Sequence, residues 1–237
     1  MDHTVAIMQP YIFPYIGYFC LIQESNTFVF YDDVNYIMRG WINRNQILLN
    51  GSPYRFSIPL LHASQNDLIC DVKTLPISSF KSKFLKQIEY AYKKSPFYEA
   101  GLHYIDTVLN PGYSYIFEFA IASIEKFCQY IELEDKNFLR SSQHFSESRP
   151  LPKADRLIHI TQALGASRYI NAIGGTSLYN KSYFYGKGIS LAFVKPKLLE
   201  YKQTCTQEFI SNLSIIDVIM NTDITNIKNM LQSYSLV

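Results

Sequence analysis

The stretch Val5–Asn45, VAIMQPYIFPYIGYFCLIQESNTFVFYDDVNYIMRGWINRN, decides the fold. Val5–Met8 is a short apolar run ended by a proline, whose ring fixes φ and removes a hydrogen-bond donor. The apolar positions from Ile16 onward lie on one side of a short helix that ends near Glu24. Thr27–Tyr31 is β-branched and aromatic, which is typical of a buried parallel strand. Strand, helix and strand in this order predict a βαβ unit.

Polar residues follow both strands of this unit. Gln9 comes directly after the first strand, and Asp32 and Asp33 come after the second. Because ligands of open α/β sheets bind beyond the carboxyl ends of the strands, we expect a site there. Asp33, or its neighbour Asp32, could take the proton of an incoming amine as a general base; the same pair could equally cap a turn. The Gln9 amide could donate to a carbonyl or a sugar hydroxyl.

A polar segment closes the stretch and is a second candidate for binding. Arg39 and Arg44 flank Trp41, the only tryptophan in the chain. Their planar guanidinium groups could clamp a diphosphate or carboxylate while the indole stacks on a base or sugar. The alternative is surface ion pairing. We favour binding because this segment, which ends at Asn45, has little apolar context.

Three segments together resemble the WbqC-like family of bacterial proteins, which are encoded in O-antigen and other surface-polysaccharide clusters: QPYIFPYIGYFCLI (9–22), FVFYDDVNYIMRGWINRN (28–45) and NLSIIDVIMN (212–221). The resemblance extends over nearly the whole chain. It implies a cytoplasmic protein that makes or decorates a nucleotide-activated sugar, for example by acylating an amino sugar with glycine or a similar unit. The polar positions that it implies are Gln9, Asp33, Tyr36, Arg39, Trp41, Arg44 and Asn45. Cys20 occupies a position at which the family would carry a variable polar residue, which argues against a cysteine nucleophile.

Length and composition favour a single α/β domain spanning residues 1–237, with 48% hydrophobic residues. The net charge of +2 is too small for duplex nucleic acid to be the main partner. The four cysteines lack metal-ligand spacing, so we expect buried thiols in a reducing cytoplasm and no metal. No basic leader and no apolar run of roughly twenty residues is visible, so we expect neither a signal peptide nor a membrane span.

The middle of the chain predicts a hairpin followed by helices. Asn50-Gly51 between two apolar runs is a strong signal for a β-hairpin near residues 45–60. Ile69–Leu75 is interpreted as an edge strand. Residues 79–131 predict three successive helices, a helical section inserted between two α/β parts. Asp135–Pro152 is polar and contains two prolines, which favours a mobile connector or a lid.

The last third returns to an α/β pattern. It predicts a mostly parallel sheet with flanking helices, built here from helix Lys153–Leu164, strands Arg168–Asn171 and Ile189–Val194, an apolar helix Phe209–Met220 capped by Ser211 or Asn212, and a surface helix Thr222–Tyr234. Asp217 would lie among buried residues, where a lone carboxylate is usually a structural hydrogen-bond partner.

A glycine pair follows the first of these strands. Gly174 and Gly175 would let backbone N–H groups approach an anion, and a helix starting near Leu178 would add its dipole. Thr176 and Tyr179 join them as candidate substrate-binding residues. Glycine pairs also serve ordinary tight turns, so both interpretations remain open.

The hypothesis that joins these sites is a cytoplasmic transferase. It would move an acyl or aminoacyl (glycyl) group from an activated, possibly carrier-bound donor to the amine of a nucleotide-linked amino sugar. No cofactor is implied with certainty, and a homodimer is possible. The alternatives are a nucleotidyltransferase-like or adenylate-forming enzyme and a non-catalytic sugar-nucleotide-binding partner. The absence of histidine between Gln9 and Leu21 argues against adenylyl transfer.

Overall fold

The structure, a computed structural model, describes residues 3–204 and 206–237. Its strands are β1 Thr4–Met8, β2 Thr27–Phe30, β3 Arg44–Leu49, β4 Ser52–Ser57, β5 Leu60–Leu61, β6 Lys73–Thr74, β7 Asn137–Arg140, β8 Arg168–Ala172, β9 Ser190–Pro196 and β10 Tyr234–Leu236. Its α-helices are α1 Ile16–Glu24, α2 Ser78–Tyr92, α3 Tyr98–Leu109, α4 Ile116–Tyr130, α5 Ser141–His144, α6 Lys153–Ala163, α7 Lys181–Tyr185, α8 Ile215–Asn221 and α9 Ile224–Leu231. Single 3₁₀ turns occupy Ile69–Asp71, Ser146–Ser148 and Ile173–Ser177.

The central sheet of the described chain has six strands in the order β10-β9-β8-β1-β2-β7. The five adjacent strands β9, β8, β1, β2 and β7 are parallel to one another. Strand β10 pairs with β9 in the antiparallel sense. The chain extends the sheet from β1 through β2 to β7, then returns to the other side of β1 to form β8 and β9. This is doubly wound topology, and its switch point lies between the carboxyl ends of β1 and β8. The predicted fold class, α/β with a mostly parallel sheet and flanking helices, is confirmed.

The two faces of the sheet are covered by different helices. On one face, Ala6, Phe28 and Phe30 belong to a large core that includes α1, the helical section α2–α4 and the carboxyl-terminal helices α8 and α9. On the other face, Val5 and Ile7 of β1 pack in a second core with residues of α6 and α7. The alternation of side chains along β1 explains this division, since successive residues of a strand point to opposite faces.

The predicted hairpin is present as β3 and β4, with Leu49 opposite Ser52 across the turn. Asn50 and Gly51 have φ values of 51° and 72°. Both lie in the left-handed region that a type I′ turn requires, which is why Asn-Gly is so common there.

Two predictions for the middle of the chain are wrong. Ile69–Asp71 is a 3₁₀ turn rather than part of an edge strand, and only Lys73–Thr74 pairs as a strand. Backbone hydrogen bonds from Ile69 to Val34 and from Cys70 to Asp32 hold this segment against the end of β2 instead.

The segment 135–152 is not a connector or lid, because it supplies strand β7 of the central sheet. Phe138 of β7 stacks on Phe30 of β2 with 5.5 Å between ring centroids. Strand β7 has only four residues, follows a polar run and shows no clear hydrophobic pattern in its sequence. Its pairing with β2 therefore decides its conformation.

Three helix boundaries also differ from the predictions. α8 begins at Ile215 rather than at Phe209, because the Ser214 hydroxyl caps it by accepting from the Ile216 N–H. The 222–234 segment contains α9 and then turns into β10. After β8 the chain forms a 3₁₀ turn, and α7 starts only at Lys181, capped by Asn180. Among the described residues, no helix combines the length and apolar character needed to cross a bilayer.

Candidate functional site at the sheet crest

The turn that follows β1 is built around a strained residue. Phe13 has φ 47°, a left-handed conformation that is rare for an aromatic residue, and its ring is fully buried. Its N–H donates to Ser123 Oγ at 3.0 Å, and its carbonyl oxygen accepts from Asn45 Nδ2 at 2.6 Å and Ser214 Oγ at 2.9 Å. These hydrogen bonds offset a backbone strain of roughly 1–3 kcal/mol. All three segments that carry the family resemblance therefore meet at this turn.

A cavity of about 470 Å³ opens beside the turn. Its lining combines aromatic and aliphatic side chains with four side-chain amides: Met8, Gln9, Tyr11, Tyr15, Ile37, Gly40, Trp41, Ile42, Asn45, Gln46 and Asn212. An apolar concave surface with a few convergent polar groups is typical of a small-molecule site. Of the predicted site residues, Gln9, Trp41 and Asn45 are brought together here.

The cavity lining is uncharged at neutral pH. Its titratable side chains are Tyr11 and Tyr15, and burial raises the pKa of both phenols above the ordinary value. Asn45 is buried, and its side-chain nitrogen donates to the carbonyl oxygens of Ile12 and Phe13. It therefore shapes the wall of the cavity. The polar groups that this lining offers are therefore neutral hydrogen-bonding groups.

The rim of the cavity is an exposed loop. Ile37, Met38 and Trp41 are each about half exposed, at 53, 50 and 47%. Arg39 lies in the same loop with φ 61°, is exposed and does not line the cavity. The guanidinium carbon of Arg55, on β4, lies 5.6 Å from the centre of the Trp41 ring. Sequence reasoning missed Arg55 as a neighbour of Trp41, because the hairpin pairing brings the two residues together.

Arg44 and Tyr36 lie next to each other behind this rim. Burial raises the pKa of Tyr36, and the neighbouring Arg44 guanidinium opposes that rise. The Tyr36 hydroxyl donates to Asn43 Oδ1 at 2.8 Å, which makes Tyr36 part of the packing of the loop. Arg44 is partly buried, and its Nε atom is buried without a hydrogen-bond partner.

Asp32 lies outside the cavity, in a buried ionic cluster where β2 and β7 end. It accepts from Arg140 Nε at 2.8 Å, and Arg140 Nη2 is also 2.8 Å away. Ser142 donates to it through its N–H at 3.0 Å and its hydroxyl at 2.8 Å. The Arg140 guanidinium in turn lies 4.0 Å from the centre of the Phe117 ring. Asp32 is thus held by several donors at once.

Asp33 is the second member of the cluster. Arg156 Nη2 contacts both of its carboxylate oxygens, at 2.8 and 2.7 Å, and Ser141 Oγ donates to Oδ1. The side chains of Asp33 and Arg156 are 3 and 4% exposed. Arg156 also lies 4.6 Å from the centre of the Tyr31 ring. Asp33, the predicted base, therefore lies near the carboxyl end of β2 but does not line the cavity. Its catalytic role stays a prediction.

The glycine pair lies at the end of β8, across the switch point from Gln9. Gly174 is exposed, and a Cβ built on it would meet nothing within 4 Å. Gly175 is buried against Asn171 and Phe193, and Thr176 Oγ1 donates to the Ile173 carbonyl at 2.9 Å. Tyr179 is partly buried in the core on the α6 and α7 side. None of these four predicted site residues lines the cavity under Trp41.

Two further features of the described chain bear on its chemistry. No group of three or more His, Cys, Asp or Glu side chains that could hold a metal ion occurs among the described residues. Asp217 is fully buried and accepts from the hydroxyls of Tyr92 and Tyr201 and from the Gln203 amide, which matches the predicted structural role.

Topology and cavity together describe a doubly wound α/β protein with a cavity beyond the end of β1. The chain belongs to the WbqC-like protein family, whose sequence profile matches residues 9–229. An uncharacterized protein of Mycobacterium tuberculosis, Rv1507c, is 22% identical over 224 residues, which cover 92% of this chain and 93% of that protein. No solved structure matches the chain.

Proposed function

We propose that this protein binds a nucleotide-activated amino sugar in the cavity beyond the carboxyl end of β1. It transfers an acyl or aminoacyl group to the sugar amine as a step of cytoplasmic surface-polysaccharide synthesis. The observation that carries the proposal is the cavity beside Trp41, with its aromatic walls and the amides of Gln9, Gln46 and Asn212. Aromatic faces pack against the apolar faces of sugars and bases, and amides hydrogen-bond to hydroxyl and carbonyl groups. A neutral lining matches the uncharged part of such a ligand.

The charged part of the ligand would lie outside this lining. A nucleotide sugar carries a diphosphate, which arginines bind through paired hydrogen bonds. Arg39 and Arg44 belong to the rim and the strand that border the cavity, and neither forms an ion pair among the described residues. This arrangement separates a neutral sugar-binding cavity from a cationic rim.

The reaction itself needs few groups. The deprotonated sugar amine would attack the carbonyl carbon of the activated acyl donor, a C–N bond would form, and the bond to the leaving group would break. A base must take the proton that the amine loses, and Asp33 is our candidate, although it would have to leave its ion pair with Arg156 to reach an amine in the cavity. Gln9, at the end of β1, would orient the reacting carbonyl or a sugar hydroxyl.

Ligand binding can be tested by thermal unfolding with dTDP- and UDP-linked amino sugars, because a ligand that binds only the native state raises the melting temperature. We expect stabilisation by one of these sugars and loss of the effect in Trp41→Ala, because Trp41 lines the cavity. Stabilisation by ATP alone would instead support an adenylate-forming enzyme.

Turnover tests the role of Asp33. With the stabilising sugar and an activated glycyl donor, Asp33→Asn should lower kcat far more than it weakens sugar binding. Unchanged turnover in a variant that still binds the sugar would remove Asp33 from the mechanism.

One observation favours a second candidate, a sugar-nucleotide-binding protein without catalytic activity. In the part of the chain that the structure describes, the cavity lining contains no carboxylate, histidine or lysine. Such a protein would bind the nucleotide sugar and show no turnover with any acyl donor, whether or not Asp33 is present.

A further inference from the structure

The hairpin and the loop before it carry an unbalanced positive charge. Between Asp33 and Asp67 the sequence contains no Asp or Glu but three arginines, Arg39, Arg44 and Arg55. The chain as a whole carries a net charge of only +2. The segment between these two aspartates, which borders the cavity, therefore has three positive charges and no negative one.

Two of these arginines project from the same face of the hairpin. In the register of β3 and β4, Arg44 is opposite Ser57 and Gln46 is opposite Arg55. Residues that are directly opposite share a face, and so do residues two apart on one strand. Arg44 and Arg55 are thus diagonal neighbours, roughly 7–8 Å apart, which is within reach of each other's long side chains.

Neither Arg44 nor Arg55 has an acidic partner within residues 3–204 and 206–237. The arginine ion pairs of the described residues are those of Arg140, Arg156 and Arg168. Arg44 keeps a buried Nε atom without a hydrogen-bond acceptor. Two neighbouring cations repel each other, so an anion held between the two guanidinium groups would relieve this repulsion.

The same face also connects to the cavity. Gln46, between the two arginines, and Trp41, beside the Arg55 guanidinium, both line it. A ligand with its neutral part in the cavity could extend its anionic part over Gln46 to this pair. Arg39, which the sequence suggested as the partner of Arg44, lies instead in the exposed turn before Trp41.

We propose that Arg44 and Arg55 form a diphosphate-binding subsite on the hairpin face that carries Gln46, with Arg55 rather than Arg39 completing the clamp. The inference rests on the proposed function, since it assigns the diphosphate of the nucleotide sugar to this face. The ligand class is a diphosphate or its diester, and inorganic pyrophosphate is the simplest probe of it.

Isothermal titration calorimetry of the full chain with pyrophosphate, and separately with the stabilising nucleotide sugar, tests the subsite. Because Arg55 is exposed, Arg55→Gln should fold normally, and we expect it to bind both probes about tenfold or more weakly. Arg55→Lys should be intermediate, because lysine keeps the charge but loses the planar fork. Arg149→Gln removes an exposed arginine that lies outside the hairpin and should leave both affinities unchanged.

The outcomes separate this inference from the proposed function. Equal binding of both probes by wild type and Arg55→Gln would overturn the subsite and leave the proposed function intact. Pyrophosphate binding that depends on Arg55, with no binding of any nucleotide sugar, would support the anion site and overturn the proposed ligand. An equal loss in Arg149→Gln would reduce the effect to net charge and contradict a built site.

Discussion

Arg156 and Asp33 form a buried ion pair although they are 123 positions apart in the sequence, with one guanidinium nitrogen 2.8 and 2.7 Å from the two carboxylate oxygens. The pair joins the end of β2 to helix α6. Its removal on one side only would leave an uncompensated buried charge, which is far more costly than the loss of both partners.

The Arg156–Asp33 pair predicts strong coupling. Arg156→Met should lower the free energy of unfolding by about 3–5 kcal/mol, because it leaves the Asp33 carboxylate buried without a cation. Arg156→Met combined with Asp33→Asn should lose much less than the sum of the single variants. Urea denaturation of the four proteins measures this coupling, and additive losses would contradict it.

The Phe13 turn predicts that Asn45 contributes to stability as well as to the cavity. Asn45→Ala should lower the free energy of unfolding by about 1–3 kcal/mol, because the Ile12 carbonyl loses its hydrogen bond from Asn45 and the Phe13 carbonyl loses one of its two donors. Asn45→Asp tests the cause, since it keeps the side-chain acceptor for the Gln46 N–H at 2.8 Å but lacks the amide donor. Full stability of Asn45→Asp in chemical denaturation would show that the donated hydrogen bonds do not matter.

Asp217 predicts a pH dependence of stability. Burial raises the pKa of this carboxyl above its ordinary value of about 3.9, although three donors oppose the rise. The folded state therefore binds more protons than the unfolded state between these two pKa values. The stability that Asp217 contributes is fully present below the ordinary pKa and is lost as the pH rises through the folded pKa.

Asp217→Asn does not titrate, so the advantage of wild type over this variant should be largest at about pH 4 and shrink toward neutral pH. Urea denaturation across this range measures the difference, with the exposed Glu134→Gln as a matched control. A constant difference between wild type and Asp217→Asn would contradict the raised pKa.

The described thiols are predicted to be unreactive in the native protein. Burial raises the pKa of Cys20 and of Cys128 to about 12 and that of Cys70 to about 11. Because the thiolate is the nucleophile, an alkylating reagent at neutral pH should leave Cys20 and Cys128 unlabelled and modify the partly exposed Cys70 slowly. Mass spectrometry of Cys205→Ser, before and after unfolding, checks this. Rapid native labelling of Cys20 would reopen a role as nucleophile.

The βαβ unit could be predicted because its signals are local. Proline after β1, the apolar side of α1 and the β-branched run of β2 each lie within a few residues of the structure that they determine. The Asn-Gly hairpin is local in the same sense. Strand β7 was missed because its sequence, NFLR, is short and only its pairing with β2 makes it a strand.

The site could be predicted only in part, for the same reason. Gln9, Trp41 and Asn45 lie around one cavity because Gln9 follows the carboxyl end of β1 and the hairpin brings the other two residues beside it. The partners of the two aspartates, Arg140 and Arg156, are more than 100 residues away, and nothing local marks them. Arg55 is missed because its proximity to Trp41 depends on the register of β3 and β4.

The central claim is that the cavity beside Trp41 binds a nucleotide-linked amino sugar. Calorimetric titration of wild type and Trp41→Ala with dTDP- and UDP-amino sugars tests it most directly. Tyr90→Ala is the control, because Tyr90 is an aromatic residue outside the cavity and is 71% exposed. We expect one sugar to bind wild type and Tyr90→Ala equally and Trp41→Ala about tenfold or more weakly, since a lost stacking contact costs about 1–3 kcal/mol. Failure of every sugar to bind wild type, or equal binding by Trp41→Ala, would contradict the claim.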